Sequence, residues 1–248
     1  MIKKLAISSI VSMALLSQAA NSQTKVGNAG VITGTAAVAS QYVSKGLDSN
    51  RDKPSASLVG EFASNTYIQL ILGAGLFYSA PDKPVTIGTG YSYELDYNIG
   101  LRKTFDKLTF DLGYVAFTYP QAKRHTNQSV DAYYAKAVVA ATKNTSLSLY
   151  YEQDTTGGYR PNVAPNRIHG EYYYELGFSH NFGPASFNAS RGDFKDTVSF
   201  YKLGLSKEFI GLNFTVDYIV NDKNRPIPFD NPGNKDDTHI VVGASKSF

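Results

Sequence analysis

The final eleven residues, THIVVGASKSF at 238–248, alternate in chemistry and end on an aromatic. Ile240, Val242, Ala244 and Phe248 fall on one face of an extended segment, and His239, Val241, Gly243, Ser245 and Ser247 fall on the other. Successive side chains of a strand point to opposite faces, so this segment has one apolar surface and one small or polar surface. That dyad is the pattern of a barrel wall whose outside meets lipid and whose inside meets water. Lys246 lies on the apolar face near the end of the strand, where its amine reaches the membrane interface at little cost. A terminal aromatic in this setting makes Phe248 the expected assembly signal, read by the barrel-assembly machinery.

The other end of the chain agrees. Ile2, Lys3 and Lys4 form a basic start, residues 5–16 an apolar run, and Ala20-Asn21-Ser22 a small-x-small cleavage site. Together they predict a secretory signal peptide at 1–22 and a mature chain beginning at Gln23. The apolar run is shorter than the ~18–20 residues that a spanning helix needs, and no other segment reaches that length. If the protein enters a membrane it does so as strands.

Period-two alternation recurs along the mature chain. In residues 91–102, Tyr91, Tyr93, Leu95, Tyr97, Ile99 and Leu101 oppose Ser92, Glu94, Asp96, Asn98, Gly100 and Arg102. The same contrast returns at 171–182 and 212–220. About twelve strands are expected in all, near 31–44, 55–63, 67–78, 91–102, 108–119, 130–142, 145–154, 171–182, 185–192, 197–208, 212–220 and 238–248. The segment at 130–142 is the least regular, because Ala and Val occupy both of its faces.

The connections alternate as well. Long linkers at 45–54, 79–90, 120–128, 155–169 and 221–237, with a modest one at 193–196, are interleaved with short ones at 64–66, 104–107, 143–144, 183–184 and 210–211. Outer-membrane barrels have short periplasmic turns and long outer loops, and an even strand number returns both termini to the periplasm. The expected fold is therefore all-β: a closed antiparallel up-and-down transmembrane barrel at 31–248, preceded by a short periplasmic segment at 23–30. A soluble sandwich has no cause to alternate its loop lengths, and its outward faces are polar. Bacterial outer membrane is the expected location.

Composition narrows the functional classes. There is no Cys, which removes disulfides and thiolate metal sites, and the net charge of +3 is too small and dispersed for nucleic-acid binding. No G-x-S-x-G, H-E-x-x-H or P-loop motif occurs, and no metal or cofactor site is expected. Of the four histidines His125, His169, His180 and His239, only His180 follows a serine directly. Ser179 and His180 are strand neighbours that point to opposite faces, so they cannot pair as nucleophile and base.

A family resemblance rests on four stretches: VASQYVSKGL at 38–47, GYVAFTYPQA at 113–122, LGLSKEFIGLNFTVDYI at 203–219, and the closing SKSF. They resemble the Gcw_chp family of uncharacterised proteobacterial secreted proteins, across nearly all of the mature chain. The resemblance implies an outer-membrane-barrel-like protein and brings no established activity. Where that family pattern carries Asp and Arg around the first motif's Tyr, this chain has Gln41 before Tyr42 and Lys45 before Gly46.

Twelve strands spaced ~4.8 Å apart and tilted by roughly 40° enclose a backbone cylinder about 24 Å wide, with about 10 Å left inside the side chains. The inward set inferred from the alternation holds Glu61, Glu94, Asp96, Asp111, Glu152, Glu171, Glu175 and Asp217 against Arg102, Lys136 and Lys202. An acidic lining of this kind attracts cations, because fixed charges in a low-dielectric tube focus the field. The leading expectation is a passive, porin-like channel for small cationic or neutral solutes. The alternatives are a barrel closed by internal ion pairs with a structural or surface role, and a barrel enzyme. Basic residues in the long linkers, among them Lys45, Arg51, Lys53, Lys123, Arg124, Arg160 and Arg225, are expected on outer loops, either as solvated charges with no specific partner or in contact with outer-membrane lipid and lipopolysaccharide phosphates.

Overall fold

The computed structural model describes residues 23–48, 53–79, 93–118, 120, 129–155, 172–195, 198–223 and 236–248. The signal segment, Glu171 and the basic loop residues Arg51, Lys123, Arg124, Arg160 and Arg225 lie outside the described residues. So do the Gly- and Pro-containing stretches at 156–165 and 226–232.

The described chain is all strand and turn. Its elements are β1 (Gln23–Val26), β2 (Gly30–Ala39), β3 (Val43–Ser44), β4 (Leu47–Asp48), β5 (Ser55–Ser64), β6 (Gln69–Ser79), β7 (Tyr93–Phe105) and β8 (Leu108–Thr118). There follow β9 (Ser129–Thr142), β10 (Thr145–Asp154), β11 (Tyr172–Asn181), β12 (Ser186–Phe194), β13 (Val198–Phe209), β14 (Leu212–Lys223) and β15 (Asp236–Ser247). From β5 to β15 every strand pairs antiparallel with the next in sequence. β2 closes the ring by pairing with β5 on one edge and β15 on the other. With β1, β3 and β4 set aside, this is the expected twelve-strand up-and-down barrel.

Closure is completed by a stagger. β15 pairs with residues 35–39 of β2, and Gly34 and Phe248 exchange two backbone hydrogen bonds of 2.9 Å. The rest of that edge, Gly30 to Thr33, is covered by β1 through the turn at Gly27. The residues ahead of the barrel thus cap the stretch of β2 that the last strand does not reach, and pair its edge amides. The Phe248 ring lies across Gly34, where a Cβ would come within 2.4 Å of it.

Side chains sort as the alternation requires. Val38, Leu58, Leu72, Ile99, Leu112, Leu149, Leu176, Leu203, Val216 and Ile240, spread around the barrel, are all exposed on its outside. An apolar surface that runs round a whole molecule is far beyond the few hundred Å² that soluble proteins tolerate, and it suits lipid. Phenylalanines ring the end with the short turns, where Phe105 meets Phe110 at 6.4 Å and Phe178 meets Phe187 at 6.3 Å. Tyrosines ring the opposite end, with Tyr78 against Tyr93 at 5.2 Å and Tyr151 against Tyr172 at 6.3 Å. Tyr93 and Phe105 bound β7, and a tilted strand of that length spans roughly 30 Å, about a hydrocarbon core.

The tight turns carry their own chemistry. Asp106-Lys107 joins β7 to β8 with Asp106 at φ 51°, and Ile210-Gly211 joins β13 to β14 at φ 51° and 74°. Two-residue hairpins need positive φ at their centre, which Gly and Asp accept and a β-branched residue resists. Ile210 is also 76% exposed, so no packing offsets the strain. Replacing Ile210 with Asn should therefore raise stability by about 1 kcal/mol, read as a higher urea midpoint of the refolded protein.

Candidate functional site

The lumen contains two connected assemblies of charge. The first is built on Arg102, near the short-turn end of β7. Its guanidinium donates two hydrogen bonds to the Glu61 carboxylate of β5, at 2.7 and 3.0 Å, and two more to Asp111 Oδ2 of β8, at 2.9 and 2.6 Å. Tyr134 Oη of β9 donates to the other Asp111 oxygen at 3.0 Å. Lys136 stands in register opposite Asp111. One planar cation thus holds two carboxylates from different strands in the forked geometry that guanidinium favours.

The second assembly was not foreseen. The sequence predicts one strand through 31–44 and places Lys45 on an outer loop; both expectations are corrected here. β2 ends at Ala39, and the chain then turns into the barrel and forms the small hairpin β3–β4, with Ser44 paired to Leu47 and Val43 to Asp48. Lys45 and Gly46 form its tip at φ 48° and 77°, the two positive values that a tight hairpin turn demands. Gly46 is required on a second count, because a Cβ there would come within 2.6 Å of the Phe200 ring.

Three contacts seat the hairpin. Asn221 Nδ2 of β14 donates to the Gly46 carbonyl at 2.6 Å. Tyr42 stacks on Phe77 at 6.1 Å and donates to Glu94 Oε1 at 3.2 Å. Val43 packs against the buried apolar cluster of Tyr173, Phe194, Val198, Phe200 and Ile219 that fills this side of the lumen.

At the tip, the Lys45 ammonium is paired with the Glu152 carboxylate of β10, both side chains being almost fully buried. Tyr150 Oη donates to the second Glu152 oxygen at 2.8 Å, and Tyr173 Oη donates to Glu175 Oε2 at 2.5 Å. The ammonium also lies 5.0 Å from the Tyr173 ring centroid, 5.4 Å from Phe194 and 5.7 Å from Phe117. These distances fall within the ~6 Å over which a cation is attracted by an aromatic face.

The inferred lumen set is thereby divided. Glu61, Arg102 and Asp111 form one cluster; Glu152 and Glu175 belong to the hairpin seat; Glu94 holds the hairpin's base through Tyr42. Lys202 and Asp217 lie diagonally across β13 and β14, where Asp217 is in register with Gly204, whose missing side chain leaves room for the carboxylate. Asp96 sits on β7 in register with Gly75 of β6 and Phe117 of β8. Lys45 was missed as a lumen residue, and the one local signal near it is Gly46, which marks a turn without saying where the turn points. Outside the barrel, His180 meets Thr145 Oγ1 at 2.9 Å and the Phe182 ring at 4.5 Å.

A closed antiparallel barrel with an apolar outside and a charged inside defines the transmembrane β-barrel class. Solved barrels of this class share its fold. The KdgM porin superposes with a TM-score of 0.53 at 11% identity, over 87% of this chain and 99% of that one. The NanC porin gives 0.54 at 9% identity, over 87% and 98%. An outer-membrane channel from Pseudomonas putida F1 gives 0.50 at 10% identity, over 92% and 98%. No protein-family model matches the sequence, and no curated protein matches it.

Proposed function

We propose that this protein is a porin-like channel of the bacterial outer membrane, non-enzymatic, which passes small cationic or neutral solutes through a lumen narrowed by the β3–β4 hairpin. The observation that carries this reading is the wall itself: lipid-type side chains all round the outside enclose an interior that holds ionisable side chains beside one apolar cluster. Residues of charged type such as Lys136, Lys202, Asp96 and Asp217 suit the polar interior of a water-filled barrel, and a water-filled barrel is a passage. The named carboxylates outnumber the basic groups even after Lys45 is added, so the interior field favours cations. The likeness to porins and a channel supports the reading at the level of architecture.

Both termini and the short turns are assigned to the periplasm, and the tyrosine-ringed end to the cell surface, where basic groups meet lipopolysaccharide phosphates. Phe248 is assigned to recognition by the barrel-assembly machinery.

Planar-bilayer recording tests the proposal. The refolded protein should conduct in small steps and give a reversal potential of cation-selective sign. Asp96→Asn together with Asp217→Asn should lower that selectivity without loss of the heat-modifiable, folded band on gels. A folded barrel that never conducts would replace this reading with the closed, structural one, in which the hairpin and its ion pairs plug the lumen.

A further inference from the structure

The cation seat around Lys45 is more elaborate than an anchor for a loop requires. One carboxylate is enough to pair an ammonium. Here the Lys45 ammonium is met by the Glu152 carboxylate and by the faces of Phe117, Tyr173 and Phe194, all of them between 0% and 2% exposed. Tyr150 fixes the Glu152 carboxylate from behind, and Tyr173 is itself held by Glu175. Every part of the seat comes from the barrel wall, from β8, β10, β11 and β12; only the ammonium comes from the hairpin. With the hairpin withdrawn, the wall would still present a carboxylate among three aromatic faces, which is the chemistry that recognises an organic ammonium ion.

We propose that this wall site is a receptor for organic ammonium cations and that Lys45 is its tethered occupant, so that free amines compete with the hairpin for the lumen. The proposal rests on the channel reading only for its consequence, which is that amine binding opens the passage. The site itself stands or falls by binding. A tethered ligand competes at an effective concentration on the order of millimolar, so a free amine binds the native chain weakly and binds a chain lacking the Lys45 amine much better.

The test uses the mature chain refolded in detergent, with Lys45→Ala and n-propylammonium chloride, which restores the atoms that the substitution removes. Thermal unfolding is followed against sodium chloride at equal ionic strength. The expected result is a rise in Tm with propylammonium that grows with the logarithm of its concentration and sets in at a concentration at least ~10-fold lower than in the native chain. The rise should vanish in Lys45→Ala/Glu152→Gln. If Lys45→Ala does not refold in sodium chloride, propylammonium should restore the refolding yield. Equal responses to the two salts, a rise that survives loss of the Glu152 charge, or no restored yield would each overturn the site. Amine-specific stabilisation in a barrel that does not conduct would leave the site standing and remove the channel, whereas conduction without amine-specific stabilisation would do the reverse.

Discussion

Arg102→Met should destabilise the barrel by about 3 kcal/mol, the lower end of the range for removing one partner from a buried ion cluster. The guanidinium makes four charge-assisted hydrogen bonds, and its removal leaves Glu61 and Asp111 facing each other from β5 and β8 with Tyr134 still donating to Asp111 and Lys136 in register opposite it. Arg102 and Glu61 keep some contact with water, at 16% and 19% side-chain exposure, which is why the lower end is expected. The measurement is the urea midpoint of folding into lipid vesicles. Adding Glu61→Gln and Asp111→Asn to Arg102→Met should recover most of the loss, because the cost is that of uncompensated charge. A triple variant as unstable as the single one would show that packing of the arginine stem dominates instead.

Ile99→Arg should cost about 2 to 4 kcal/mol, measured in the same assay, because it puts a charge against lipid at the middle of the wall. Ile99 is the central residue of β7, is 51% exposed, and stands in register with Leu72 of β6 and Tyr114 of β8. Leu95→Arg on the same face is a weaker probe. Leu95 lies two residues from Tyr93, at the tyrosine-ringed end, where an arginine reaches the interface and about 0 to 1 kcal/mol is expected. A similar penalty at both positions would contradict the depth assigned to the two aromatic rings.

Most of the wall was legible in the sequence. Tyr97, Ile99 and Leu101 against Asn98, Gly100 and Arg102 state a lipid face and a wet face within one strand, with no knowledge of any other. Even the irregular segment at 130–142 forms β9, which turns Tyr133 outward and Tyr134 and Lys136 inward. Short turns such as Lys143-Asn144 and Ile210-Gly211 then pair each strand with its neighbour, since no other partner is within reach. The misreading came where alternation continued past the end of a strand. Val43 and Ser44 look like the tail of β2, yet they belong to the inward hairpin, and the motif at 38–47 that carries the family resemblance spans that turn. A strand continuing up the wall and one turning into the lumen have the same local period, so the pattern at 40–44 does not separate them.

The sequence alone determined the class of fold, a count of about twelve strands and which face of most strands meets lipid, because those follow from side chains two positions apart and from turns of two to four residues. Only the tertiary structure decided which inward charges meet. Lys45 reaches Glu152 across 107 residues and Arg102 reaches Glu61 across 41, distances in sequence that carry no periodic signal. Those pairings depend on the stagger of the strands around the ring and on the point at which the hairpin enters the lumen. Both are set by closure of the whole barrel, in which β15, β2 and β1 meet at a single seam.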